Sequence, residues 1–296
     1  MMERFIDRTY DHIPAQTDFV TRQWLDIPYM EGPRHTLDIY LPNEVHDAYP
    51  TIIDIYGGGL ILGEKSSHKL EPALRLLEKG YAVVSINYSL ISQAPFPTQI
   101  LEVKAAIRWV KAHASEFNFD AARIALMGES SGAHLALLAG VTADQTINEP
   151  LFGQSPTQST TVQAIIALYG PYVFDQFNAQ FAENNVTPKY DETGAADSFE
   201  AQMFGGVAPV DVPEQVRLAN PATYFSTEMP PILAFAGTAD PVVPVQQTEN
   251  MITVARQLVA DDHAELHIVT GGVHGPNDYM TPAMTNLKLA FLEKWL

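Results

Sequence analysis

Residues 123–139 have the pattern of a buried strand that turns at once into a helix. Residues 123–127 are mostly apolar, residues 133–139 are rich in alanine and leucine, and G-E-S-S-G at 128–132 fits G-x-S-x-G. A strand that reverses directly into a helix strains the central residue, and flanking glycines remove side chains that would collide there. The segment therefore predicts that Ser130 projects above a sheet, at the positive end of a helix.

Strand and helix patterns alternate along most of the chain. Apolar or β-branched runs predict strands at residues 37–42, 51–56, 81–87, 123–127, 162–169, 232–237 and 264–269. Helices are predicted at residues 71–79, from 98 onward, after Ser130, at 245–259 and at 282–296. This alternation predicts an α/β fold with a mainly parallel central sheet covered by helices on both faces.

The 296 residues are predicted to form a single domain with an inserted cap. Residues 1–30 show no strong period and are interpreted as an N-terminal arm. Residues 37–42 alternate and end at a proline, as expected of an outer strand. Residues 171–230 combine weak periodicity with prolines, aromatics and acids, which favours a cap or lid.

Composition excludes several classes of function. The chain has no cysteine, which rules out disulfides, thiolate metal sites and cysteine nucleophiles. The formal net charge of -18 disfavours nucleic acid and anionic membranes as partners. No signal-peptide pattern or membrane-length apolar run is visible, so a cytoplasmic location is predicted. The sequence contains no interface motif, so it is compatible with a monomer and with a homo-oligomer.

A serine hydroxyl needs a base to become a good nucleophile, and the base is usually a histidine oriented by a carboxylate. In an open α/β sheet, functional residues collect at the carboxyl ends of strands. Asp240 follows the predicted strand 232–237, and His274 follows the predicted strand 264–269. The order Ser130, Asp240, His274 is the order of an α/β-hydrolase triad, so these three are the predicted catalytic residues.

Backbone N–H groups close to the serine are predicted to form an oxyanion hole. Ser131 follows the nucleophile at the start of the helix, while Gly58 and Gly59 follow the end of another predicted strand. Glycine lets a backbone approach a substrate closely. Each such donor can contribute ~2.7–4 kcal/mol to transition-state stabilisation.

Other chemistries fit the sequence less well. His263 and His267 are four residues apart, but they fall on a predicted strand and no H-E-x-x-H motif is present. The glycine-rich run at 57–63 misses G-x-G-x-x-G by one position. Neither a metal nor an organic cofactor is predicted.

Several segments together resemble the α/β-hydrolase superfamily, in the esterase branch of hormone-sensitive-lipase-like enzymes and bacterial feruloyl-esterase-like lipases. The resemblance extends from Leu37 to the C-terminus and rests on residues 37–42, 57–59, 87–90, 96–139, 237–244 and 272–275. It implies the same triad and the same oxyanion donors. The family usually has a histidine before the glycines, where this chain has Tyr56.

That substitution leaves the geometry of the glycine loop open. Tyr56 is assigned either a structural role or a direct one through its hydroxyl. Together with Leu60, Tyr172 and Phe177, it completes the predicted substrate-binding set.

The sequence thus predicts a serine carboxylesterase that cleaves small, short-chain esters of the acetyl type through an acyl-enzyme. Esters of acetylated or feruloylated carbohydrates are an alternative substrate class. An arylformamidase-like amidase or a peptidase would use the same triad. A binding protein that retains the fold without catalysis is the alternative from a different class.

Overall fold

The computed structural model describes residues 3–143, 153, 155 and 157–296. Within these residues eight strands pair into one sheet: β1 (Arg22–Pro28), β2 (Thr36–Leu41), β3 (Tyr49–Ile55), β4 (Ala82–Ile86), β5 (Phe119–Glu129), β6 (Ala164–Leu168), β7 (Ile232–Gly237) and β8 (Ala264–Val269). Their order across the sheet is β1-β2-β4-β3-β5-β6-β7-β8. β2 is antiparallel to β1 and to β4, and all other neighbours are parallel.

The described residues also form nine α-helices: α1 (Glu71–Leu77), α2 (Thr98–Ala112), α3 (Ala114–Phe117), α4 (Ser131–Val141), α5 (Phe177–Asn184), α6 (Phe199–Gln202), α7 (Pro213–Ala219), α8 (Val245–Ala255) and α9 (Pro282–Trp295). The predicted α/β fold with a mostly parallel sheet is confirmed.

The core lies in two layers because successive residues of a strand point to opposite faces of the sheet. In β3, Ile53 and Ile55 join a cluster that includes side chains of α2, α4 and α8. Ile52, one residue before Ile53 and therefore on the opposite face, joins a second cluster formed with α1 and α9. Strands buried on both faces read as continuous apolar runs, which is why the central strands are visible in the sequence.

The N-terminal region departs from the predicted arm over 1–30. Residues 22–28 form β1, which is the sheet edge, so β2 is the second strand rather than the outer one. β1 is mostly exposed, and its register with β2 shifts between Trp24 and Ile27. Asp26, inside this irregularity, has φ +57°. A bulge interrupts the alternation of side chains, and it thereby removes the periodic signal of a strand.

The segment predicted as a cap connects β6 to β7 and contains α5, α6 and α7. Across the described part of the chain, no helix combines the length and the apolar composition that crossing a bilayer requires.

Candidate active site

Ser130 lies at the point where β5 turns into α4, with φ +54° and ψ −126°. This is a strained conformation for a residue with a side chain. A Cβ on Gly128 would lie 2.2 Å from the carbonyl oxygen of Gly132, and a Cβ on Gly132 would lie 2.0 Å from that of Ile55. The G-x-S-x-G spelling is therefore required by the packing of this turn.

The hydroxyl of Ser130 begins a continuous hydrogen-bonded chain. His274 Nε2 is 3.0 Å from Ser130 Oγ, and His274 Nδ1 is 2.8 Å from Asp240 Oδ2. The other oxygen of Asp240 accepts hydrogen bonds from the N–H groups of Val242 (2.8 Å) and Val243 (3.0 Å). Asp240 is 2% exposed. These bonds fix a buried carboxylate behind the imidazole, which in turn faces the serine.

The N–H groups of Gly58, Gly59 and Ser131 lie in the turns predicted to hold an oxyanion. Gly58 has φ +139° and Gly59 has φ +63°. A Cβ on Gly58 would lie only 2.0 Å from the carbonyl oxygen of Leu62. Within residues 3–143, 153, 155 and 157–296, none of the three N–H groups donates to the protein itself. They are therefore available to an external acceptor.

Glu129, the residue before the serine, connects the turn to the glycine loop. Its Oε1 accepts from the N–H of Gly57 at 2.6 Å, and its Oε2 accepts from the hydroxyl of Tyr169 at 2.6 Å. Lys69 Nζ lies 3.4 Å from Oε1 and donates to the carbonyl of Gly57 at 2.8 Å. Tyr169 packs edge-on against His274, with ring centroids 4.8 Å apart. One buried carboxylate thus contacts the glycine loop and the wall behind the imidazole.

The environment of Glu129 keeps it ionised. Burial by itself would raise the pKa of Glu129, but the charge of Lys69 and the hydrogen bonds from Tyr169 and Gly57 outweigh burial, and the net shift is downward. Asp54, buried on β3, shows the opposite outcome. Burial and then the negative charge of Glu129 raise the pKa of Asp54 well above its ordinary value, which favours the neutral form of Asp54 beside Glu129.

Tyr56 does not line the cleft. Its ring stacks on Tyr88 with centroids 4.4 Å apart, and its hydroxyl accepts a hydrogen bond from Arg34. Arg34 also donates to the carbonyl of Gly63 at 2.8 Å, and Tyr88 donates to the carbonyl of Tyr56 at 2.8 Å. Tyr56 is therefore buried in contacts that hold both ends of the glycine loop. Its predicted place in the substrate pocket is corrected to a structural one.

Leu60, Tyr172 and Phe177 also lie away from the cleft. Leu60 is 2% exposed in the core, with φ +61°. The N–H of Tyr172 donates to Gln247, and Phe177 is buried parallel to Phe174. Each follows or begins a structured element, and the packing of that element turns its side chain inward. The predicted pocket lining is thus replaced by other residues.

The cleft above Ser130 has a volume of about 540 Å³. One wall comes from the N-terminal segment that was predicted to be an arm. The sequence did not reveal this wall because the segment has no periodicity. The lining includes Phe5, Arg8, Thr9, Tyr10, Asp11, Ile13, Gly58, Gly59, Leu62, His68, Lys69, Glu129, Ser130, Lys189, Tyr190, Phe199, Val242 and His274. Charged and aromatic side chains therefore surround the serine.

Three other histidines have structural contacts. His134, in α4, is buried and bonds through Nε2 to the carbonyl oxygen of Ala219 at 2.7 Å. His263 lies 2.8 Å from the carbonyl oxygen of Met229 and His267 pairs with Glu265, so the two do not meet. Among the residues described, no group of three or more His, Cys, Asp or Glu side chains is placed to hold a metal ion.

The sheet order and the strand–turn–helix at Ser130 define the class of the protein as an α/β-hydrolase. The chain belongs to the BD-FAE family, whose model matches residues 37–254. The predicted resemblance to feruloyl-esterase-like α/β-hydrolases is thereby confirmed.

Named relatives of this chain are esterases. Esterase LipQ of Mycobacterium tuberculosis is 31% identical over 240 residues, which are 80% of this chain and 53% of the relative. Isoprenylcysteine alpha-carbonyl methylesterase ICME of Arabidopsis thaliana is 28% identical over 254 residues, or 84% of this chain and 55% of the relative. The chain thus spans about half the length of these curated relatives. The names of these relatives are consistent with the predicted class, carboxylic ester hydrolase.

A solved structure described as a truncated form of a carbohydrate esterase from gut microbiota is also similar. It superimposes with a TM-score of 0.82 at 29% identity, over 95% of this chain and 99% of the other.

Proposed function

We propose that the protein is a serine carboxylesterase for short-chain esters of the acetyl type. The observation that carries the proposal is the hydrogen-bonded chain from Asp240 through His274 to Ser130, beside N–H groups without an acceptor in the described chain. No metal or organic cofactor enters this reaction.

In the first half-reaction, Ser130 Oγ attacks the ester carbonyl and passes its proton to His274 Nε2. The carbonyl oxygen becomes an oxyanion and accepts from the N–H groups of Gly58, Gly59 and Ser131. The bond from the acyl carbon to the alcohol oxygen breaks, and His274 returns the proton to the alcohol. Water then attacks the acyl-enzyme by the same route, releasing the acid and free Ser130.

Glu129 acts in this scheme as a positioning residue. Its bond to the Gly57 N–H fixes the glycine loop against the nucleophile turn, and Lys69 holds the carbonyl of the same residue. Because buried carboxylates bind N–H groups more strongly when ionised, Lys69 strengthens this junction. The family histidine is thus replaced by two contacts, one from Glu129–Lys69 and one from Tyr56–Arg34.

The preference for a short acyl group is supported by the position of the second cavity. An apolar groove of about 440 Å³, lined by Phe96, Ile100, Met203 and Leu218 among others, does not include Ser130 or His274. A long acyl chain attached to Ser130 would have the mixed, charged cleft as its surroundings instead. The transfer of that chain into charged surroundings is unfavourable.

Aryl esters from acetate to laurate test the proposal directly, with formanilide and peptide substrates as the amidase arm. We expect kcat/KM to be highest for acetate and to fall with chain length. Higher efficiency on the amides would establish the amidase alternative. A folded protein that neither turns over acetate nor is labelled at Ser130 by a fluorophosphonate would be a binding protein instead.

Acetylated and feruloylated carbohydrates are the second substrate class to measure. The similar carbohydrate esterase structure favours them, as does an aromatic wall formed by Phe5, Tyr190 and Phe199. Flat aromatic faces pack well against sugar rings. Release of acetate and of ferulate from these sugars at no more than their own uncatalysed rates would remove this candidate.

A further inference from the structure

The lining of the cleft has more cationic side chains than carboxylates, although the protein as a whole is strongly negative. The chain carries 17 Lys and Arg residues against 35 Asp and Glu. Yet the lining of the cleft contains three cationic side chains, Arg8, Lys69 and Lys189, and two carboxylates, Asp11 and Glu129. Lys69 and Glu129 are paired with each other, and Lys189 has Glu3 at 3.6 Å. Arg8 is the cation that needs an explanation.

Arg8 has no carboxylate partner within the residues that the structure describes. Its Nη1 donates to the hydroxyl of Tyr190 at 3.0 Å, and its guanidinium carbon lies 5.7 Å from the centroid of the Phe5 ring. A guanidinium has five N–H donors, so most of them stay available. In an acidic protein, many carboxylates could pair with an exposed arginine. Arg8 instead lines the cleft.

Phe5 and Tyr190, the residues that Arg8 contacts, are held in place before any ligand binds. The buried carboxylate of Glu192 accepts from the N–H of Phe5 at 2.6 Å, and Phe5 packs edge-on against Tyr190 with centroids 5.2 Å apart. The N–H of Arg8 itself donates to the carbonyl of Phe5 at 3.2 Å, which closes a turn. A preorganised cation loses less conformational entropy on binding than a free surface arginine does.

We propose that Arg8 binds a carboxylate on the alcohol part of the ester, so that the protein prefers acidic alcohols such as esterified sugar acids. This inference rests on the proposed ester hydrolysis. Because the acyl group in that proposal is small, only the alcohol extends along the cleft from Ser130 to the N-terminal wall. A planar carboxylate matches the paired N–H groups of a guanidinium.

The test compares two acetyl esters that differ in one charge. para-Acetoxyphenylacetate has a carboxylate that a methylene insulates from the reacting phenol, and its primary amide is the neutral match. We expect the wild type to favour the carboxylate by about tenfold in kcat/KM, the value of one hydrogen-bonded ion pair. The ratio should fall when salt is raised from about 0.05 to about 0.5 M.

Arg8→Gln should bring this ratio close to one, and Arg8→Lys should keep part of it. The control is Arg217→Gln, an exposed arginine of α7 paired with Glu214 outside the cleft, which should leave the ratio unchanged. Thermal unfolding and fluorophosphonate labelling of Ser130 verify the fold and the nucleophile of each variant.

The outcomes separate this inference from the proposed function. Equally efficient hydrolysis of the acetyl ester that carries the carboxylate and of the one that carries the amide overturns the role of Arg8 and leaves esterase function intact. A ratio that falls equally in Arg217→Gln, or that is no higher in Arg8→Lys than in Arg8→Gln, overturns it as well. If neither ester is hydrolysed by protein that folds, the proposed function itself fails.

Discussion

The two sides of the cleft are built by different kinds of sequence. On the chemical side, Ser130, Asp240, His274 and Gly58 each follow the end of a parallel strand. On the other side, the N-terminal segment around Phe5 and Arg8 contacts Tyr190 and Phe199, which lie more than 180 positions away. The chemical side depends on local turn geometry, whereas the wall depends on contacts between remote segments. Damage to the first side should therefore affect kcat, and damage to the second should affect KM.

The largest expected effect is the loss of the nucleophile. Ser130→Ala should lower kcat by about 10⁴-fold or more, because the remaining triad groups have no hydroxyl to activate. The free energy of unfolding should not fall, because the φ of +54° penalises serine and alanine alike. Ester turnover and urea unfolding measure the two effects. Residual activity within tenfold of wild type would be incompatible with the proposed nucleophile.

The same contrast explains how much of the protein could be predicted from its sequence. Central strands are visible as apolar runs, and a residue just after such a run is automatically at the active edge of the sheet. Ser130, Asp240 and His274 could therefore be chosen together. β1 could not be found because a bulge at Asp26 disrupts its alternation.

The pocket wall was beyond the same reasoning. Proximity in sequence to the glycine loop or to β6 selected Tyr56, Leu60, Tyr172 and Phe177, all of which are buried. The direction of a side chain after a strand end depends on tertiary packing, and no local pattern encodes it. Glu129 was a different kind of omission, since it occupies a variable position of a recognised motif and its partners become visible only in three dimensions.

The glycine loop provides a second test of the chemical side. Gly58→Ala should lower kcat by about 10²–10³-fold, because the new methyl would meet the carbonyl of Leu62 and displace the oxyanion donors. Gly80→Ala is the matched control, since Gly80 also has a positive φ (+92°) but open space around it. It should cost stability only. Equal effects of the two substitutions on kcat would show that backbone strain, and not the loop, is responsible.

A change of pH should affect the stability contributions of α4 and of the cap in opposite directions. Burial lowers the pKa of His134, in α4, to about 4. The unfolded chain takes up this proton near pH 6.5, so the stability that neutral His134 contributes is lost as the pH falls from about 6.5 to about 4, by about 3 kcal/mol. In the cap, burial raises the pKa of Glu200 to about 7. Its contribution is present at low pH and is lost as the pH rises from about 4.5 to about 7.

Urea unfolding of wild type, His134→Gln and Glu200→Gln across this range isolates each contribution. The stability difference between wild type and His134→Gln should shrink on acidification, while that between wild type and Glu200→Gln should grow. Parallel pH profiles for wild type and both variants would mean that neither group changes its protonation on unfolding.

Glu129→Gln examines the junction between the nucleophile turn and the glycine loop. The amide keeps the size of the side chain but removes the charge that Lys69 faces, so kcat should fall by about tenfold to a hundredfold, or about 2 kcal/mol. KM should stay near its wild-type value. Glu102→Gln is the control, because Glu102 is equally buried but bonds to Ser89 and His35. Loss of stability in both variants with loss of kcat in neither would leave Glu129 a purely structural residue.

The smallest expected effect concerns the wall. Glu192→Ala removes the acceptor of the Phe5 N–H and should loosen residues 3–8 by about 1 kcal/mol. Hydrogen exchange at Phe5 should accelerate, and KM for esters with a bulky alcohol should rise several-fold, while kcat for a small acetate is retained because the strand ends are untouched. Glu214→Gln, which alters only an exposed pair on α7, is the control. A fall in kcat at constant KM would mean that the wall and the triad act as one unit, and the division between the two sides of the cleft would be wrong.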